Sequence, residues 1–307
     1  MGEPTASRLD RLIDCDTENI KESKRALVSI EPRSLECLEH AVSAFEQLAE
    51  SFGKVCECDK HNRIINDWAR GLGLRGETAA NFLRDAVPIG RASSQDSFGL
   101  AKESYHKAVS IIARAQLTLR LGRDFLFGIT DLMRLRITPA FGYLRLQAES
   151  TGILRLLYEH PEMGEEWLAS ADYDKGKAFY DKWNREIVER IRAYGLHPDY
   201  VRGSNMALHS RASGITMGFL LGEKEKDKPG EIRLLYQEID DAGMLFIWFG
   251  AFLRFHRKLF LKMKDVIPEL DDSHVNASSI LSFLKLEDLI WSKVVDINAR
   301  SKGKTIL

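Results

Sequence analysis

The sequence is poor in almost everything that marks a secreted, membrane-spanning or disulfide-built protein. Its 307 residues include four cysteines, Cys15, Cys37, Cys56 and Cys58, and the opening stretch Met1 to Asp10 lacks the apolar run of a secretory signal. The expectation is a cytoplasmic protein with reduced thiols. No run is long enough for a bilayer: the longest, Ala242 to Leu253, falls well short of about 20 residues per span and reads as a buried core helix. Charge of one sign is also missing, since Lys+Arg number 44 against Asp+Glu 45, a net charge of −1. Bulk attraction to nucleic acid is thereby excluded, and any RNA groove has to be supplied locally. Repeats and low-complexity tracts are absent too. The chain is nonetheless long enough to bury a core without a disulfide or metal.

What is present is helical spacing along nearly the whole chain, and the fold class expected is all-α, a helical bundle. Leu35, Leu38, Val42, Phe45 and Leu48 recur at threes and fours, behind Ser34 as an N-cap and before Gly53 as a stop. Similar patterns around Asn62 to Leu72 and Thr78 to Val87 extend an N-terminal helical region over residues 1–90. The stretch Val87 to Ser94, with its Pro, Gly and Ser, reads as a linker.

A central bundle over 91–270 follows. Tyr105, Ala108, Val109, Ile112, Ala115 and Leu119 make its first stripe, with Lys107, Ser110, Arg114 and Thr118 on the opposite, polar side. Gly122 and Thr138-Pro139 punctuate it. The next helix should run from Pro139 to Glu159 and stop at His160-Pro161. Phe179, Trp183, Ile187 and Ile191 define another between Asp174 and Tyr194, closed by Gly195 and Pro198, and a further one is expected from Tyr200 to Leu221. Charged residues 223–228 and Pro229-Gly230 read as a loop. Ile232 to Tyr236, within 231–237, reads as one short strand or hairpin, or as extended chain. Asp240 and Asp241 cap the apolar helix that runs on through Lys258, and residues 271–307 hold a last helix, Ser278 to Ala299, with a tail.

Few residues suggest chemistry. Gly71-Leu-Gly-Leu-Arg-Gly76 has dinucleotide-site spacing but follows a helix where that site needs a strand, so no cofactor is expected. Cys56-Glu-Cys58-Asp-Lys-His61 lacks a fourth ligand and the usual spacing, and no metal is expected either. Arg145 and Glu149, at i and i+4, stand in the less favourable order for an isolated helix, which suggests a structural ion pair that anchors neighbouring helices; a solvated surface pair is the alternative.

The most informative stretch is Tyr200-Val-Arg-Gly-Ser-Asn-Met-Ala-Leu-His-Ser-Arg211. If it is one helix, Arg202 and His209 share a face about 10 Å apart, with Asn205 between. Arginine grips phosphate through a planar fork and histidine exchanges a proton near neutral pH. Gly203-Ser204 complicates this, because Ser204 can itself be the N-cap and leave Arg202 in the preceding loop. A buried, hydrogen-bonded histidine and a surface arginine are the plainer reading of the same residues.

With six residues between Arg202 and His209 and Asn205 among them, the chain resembles a diverged member of the HEPN superfamily. The order of helices resembles that of uncharacterised bacterial proteins of that type over residues 97–265: Ser97 to Leu121, the Arg145/Glu149 helix, Pro161 to Trp167, then the His209 helix. The resemblance implies a helical bundle that pairs as a homodimer around an RNA cleft, and metal-independent RNA cleavage by the ribose 2′-OH in a toxin or phage-defence effector. It implies that His209 assists proton transfer, Arg202 stabilises charge on the phosphate and Asn205 orients it, with Arg211, Arg254, Arg257 and Lys258 lining the RNA groove. The alternative is a non-catalytic helical module that binds a regulatory protein partner or a nucleotide.

Overall fold

The computed structural model describes residues 8–71, 95–207, 239 and 241–300. Among these there are twelve helices and no strand: α1 (Arg8–Ile30), α2 (Ser34–Val55), α3 (Cys58–Gly71), α4 (Gln95–Met133), α5 (Ile137–Glu159), α6 (Met163–Ala169), α7 (Tyr173–Ala193), α8 (His197–Ala207), α9 (Ala242–Leu261), α10 (Met263–Val266), α11 (Asp272–Val275) and α12 (Ser278–Arg300). The all-α expectation is met. The linker at Val87 to Ser94, the helix proposed from Thr78, and the strand or extended chain at 231–237 fall outside the described residues.

Antiparallel α4 and α5 form the spine. At 39 residues, α4 is about 58 Å long. It runs through Gly122, which the sequence reading took as punctuation. It ends where Leu135 enters the left-handed region at φ 65° and the Arg136 N–H donates to Asp131 O. Pro139 sits in the first turn of α5, where a missing N–H costs nothing. The chain reverses again after α7. Gly195 at φ +70° lets the Gly195 and Leu196 N–H groups close back on Arg192 O and Ile191 O, a conformation cheap only for glycine. Pro198, read above as the stop for α7, opens α8 instead, again within a first turn.

The core gathers around α9, which is apolar on every side from Leu245 to Leu253. Phe246, Phe249, Phe252 and Phe255 are fully buried in it and meet Phe45 of α2, Phe125 of α4 and Phe283 of α12 in one cluster. Residues from all three regions drawn from the sequence thus share a single core. Asp241 caps α9 as expected, accepting from the Met244 N–H at 2.9 Å. Ser34 is not a cap: it opens α2, and its hydroxyl donates to Glu31 O at 2.7 Å. No helix of the described residues is long and apolar enough to cross a membrane.

Candidate functional site

Two features that the sequence shows separately come together where α8 lies on α5. Gly203 faces α5 so closely that a Cβ there would stand 2.4 Å from Phe141 O and 2.9 Å from the Arg145 Cβ. Only glycine fits that approach. Gly203 therefore seats α8 on α5 and does not break it. Ser204 is not a cap either: its hydroxyl donates to Tyr200 O at 2.9 Å from mid-helix. Arg202 accordingly belongs to α8, which opens at His197, earlier than the Tyr200 start read from the sequence.

The seat is reinforced in the first turn of α8. Asp199, buried in the first turn of α8, accepts from the Lys258 ammonium of α9 at 2.8 Å. Tyr200 packs its ring under the Arg145 guanidinium at 5.4 Å, while Arg145 Nη2 pairs with Glu149 Oε1 at 2.9 Å. Burial pushes the Glu149 carboxyl above its usual range, against the opposing pull of Arg145 and Arg120. The pair thus ties α5 to α8.

On this seated helix Arg202 is exposed and Asn205, one turn on, is half-buried. Arg202 makes no ion pair among the described residues. His209 and Arg211, the remaining members of the stretch, lie outside the described residues. The other cations assigned to a phosphate groove are already matched. Arg254 and Arg257 reach the fully buried Glu287 of α12 at 3.1 and 3.2 Å, and Arg257 also donates to Leu284 O at 2.8 Å. Lys258 is held by Asp199. These three join helices, and of the described cations named for the groove only Arg202 is free.

The polar face assigned to α4 is a correction of another kind. Ser110, Arg114 and Thr118 are buried, with Arg114 only 2% exposed. The Arg114 fork reaches both oxygens of Glu269, Nη2 at 2.7 Å from Oε2, and its guanidinium lies 5.2 Å from the rings of both Phe52 and Tyr158. Burial works to raise the Glu269 carboxyl, but the hydrogen bonds and charge of Arg114 outweigh it and hold it below the usual range. Beside this pair opens a cleft of about 510 Å³ between α4 and the end of α5. A polar stripe at four-residue spacing looks the same in sequence whether it faces water or a buried partner 155 positions away.

At the cysteines, Cys56 is buried, which pushes its thiol up to about 12, and His61 Nδ1 lies 3.0 Å from Glu57 O. Among the described residues no three metal-ligating side chains converge. Gly71, the first glycine of the G-x-G-x-x-G run, belongs to α3, and the rest of that run lies outside the described residues. Taken together, the described residues form a helical bundle with the exposed Arg202 on α8. No family model, curated protein or solved structure matches the chain.

Proposed function

We propose that the protein is a HEPN-type endoribonuclease whose phosphate-binding face is carried by α8 and the residues that follow it. The observation that carries this reading is Arg202, an exposed and unmatched cation on a helix clamped by Gly203 on Phe141 and by Asp199 on Lys258. A clamped helix fixes the point from which the fork reaches out, one part of what stabilising a developing charge requires. Arg202 grips the phosphate, Asn205 orients it, and His209 moves the proton as the ribose 2′-OH attacks the adjacent phosphorus and the 5′-oxygen leaves. The product is a 2′,3′-cyclic phosphate, and only RNA carries the nucleophile. Pairing of two chains around the RNA, use as a toxin or defence effector, and action in the cytoplasm belong to the same proposal.

A second reading, a non-catalytic interaction module, is favoured by one observation: Arg254, Arg257 and Lys258 are consumed in ion pairs, which leaves the groove short of cations. The test is RNA cleavage by the purified full chain in EDTA, with analysis of product ends. Cyclic-phosphate ends that disappear in Arg202→Ala and His209→Ala, with folding intact, support the nuclease. Uncut RNA, or equal cutting by both variants, supports the module.

A further inference from the structure

The cleft beside Arg114 is separate from α8, and its chemistry points to a ligand of its own. Its volume, about 510 Å³, falls within the range of roughly 300–1,000 Å³ typical of small-molecule sites. One wall is apolar: Leu157, Tyr158 and Pro161 at the end of α5, with Ile111 of α4 beside them. Tyr158 is 43% exposed although it is a large aromatic side chain. At the other end both terminal nitrogens of the Arg114 fork are taken by Glu269, and its Nε is buried without a hydrogen-bond partner among the described residues.

The mouth is acidic for two independent reasons. Glu103 and Glu162 are exposed and line it, and among the described residues the Glu162 carboxylate pairs only with the His160 imidazole, at 3.3 Å. Among the described lining residues three carboxylates, Glu103, Glu162 and Glu269, face the His106 imidazole and two fixed cations, Lys107 and Arg114, of which Arg114 is neutralised by Glu269.

The second reason is the backbone. Pro161 has no N–H to close the last turn of α5, and the Ser110 hydroxyl takes its place by donating to Leu157 O at 2.5 Å. Among the described residues the Tyr158 and Glu159 carbonyls accept no backbone hydrogen bond. This is the negative end of a 23-residue helix, equivalent to about half a unit charge.

We propose that the cleft binds an organic amine. Its ammonium sits between Glu103, Glu162 and the carbonyl end of α5, and its aromatic or hydrocarbon body lies on Ile111, Leu157, Tyr158 and Pro161. An ammonium brings up to three donors and no acceptor, which matches a mouth that offers acceptors. Lys107, beside Glu103 on the next turn of α4, sets the limit on charge: it disfavours a dication reaching that side and is the natural position at which to change affinity. The site does not depend on the nuclease reading.

Calorimetric titration of the full chain with tryptamine, indole-3-ethanol and indole-3-propionate tests this with one ring system and three charges. The amine should bind about tenfold more tightly than the alcohol, the acid more weakly than either. The double variant Glu103→Gln/Glu162→Gln should erase the preference while the melting temperature stays put, and Lys107→Glu should sharpen it. The proposal is overturned if tryptamine fails to bind, if the alcohol or acid binds as well, or if the double variant keeps the preference.

Discussion

His256 Nε2 lies 2.9 Å from the side-chain oxygen of Gln147 at the centre of the core. The Gln147 amide nitrogen donates in turn to Leu121 O at 2.7 Å, which fixes that oxygen toward the imidazole. Histidine Nδ1 faces a second oxygen, Phe252 O, at 2.8 Å. The ring therefore links α9, α5 and α4 inside a cage of phenylalanines, with Phe125 and Phe252 centroids at 4.7 and 4.6 Å. The one fully buried histidine among the described residues is structural.

That position has a consequence for acid stability. Burial depresses the His256 pKa from the usual 6.5 to about 3, against the modest opposing effect of Phe252 O. Above 6.5 the ring is neutral folded and unfolded, and stability is independent of pH on its account. Between 6.5 and about 3 the unfolded chain holds the proton and the folded chain does not, so folding releases a proton and stability falls with acidification. The contribution is up to about 1.4 kcal/mol per pH unit. Urea unfolding at a series of pH values should show this slope in the native chain and a slope smaller by about one proton in His256→Leu. Equal slopes would place the proton elsewhere.

The Arg114–Glu269 pair is asymmetric. Arg114 is 2% exposed and the Glu269 side chain 25%, so the carboxylate can hydrate when left alone and the guanidinium cannot. Glu269→Leu should cost about 3–5 kcal/mol by stranding a buried charge. Arg114→Met should cost clearly less, and the double variant less than Glu269→Leu alone. Denaturant midpoints decide the order, and the reverse order contradicts the account.

The Ser110 hydroxyl substitutes for the N–H that Pro161 lacks. Ser110→Ala leaves Leu157 O unpaired and buried, at a cost of about 1–3 kcal/mol. Pro161→Ala restores an N–H four residues on and should recover part of that loss in the Ser110→Ala background. Strict additivity of the two changes in a double-mutant cycle would show the two groups to be uncoupled.

Periodicity made the helices legible because each buries an apolar stripe, and Asp241 and His160-Pro161 marked ends through local hydrogen bonding alone. Ser34 and Pro198 were misread because a serine or proline beside a helix suits either side of a boundary, and only the neighbouring carbonyls decide. Spacing puts Arg202 and Asn205 on one helix, and the structure does the same. Nothing local could show that Gly203 is a contact with Phe141 O, that Lys258 is taken by Asp199, or that Arg114 points inward. Each depends on a partner 59 to 155 positions away in the chain, such as Asp199 or Glu269, or on a backbone atom of another helix.

The central claim rests on Arg202, and the most direct measurement is single-turnover cleavage of an RNA oligonucleotide in EDTA by the native chain, Arg202→Ala and Arg202→Lys. Loss of the transition-state contact should slow Arg202→Ala by about 100-fold or more at unchanged melting temperature. Arg202→Lys, which keeps the charge but not the fork, should recover only part of the rate. Cleavage at the native rate by Arg202→Ala would contradict the account.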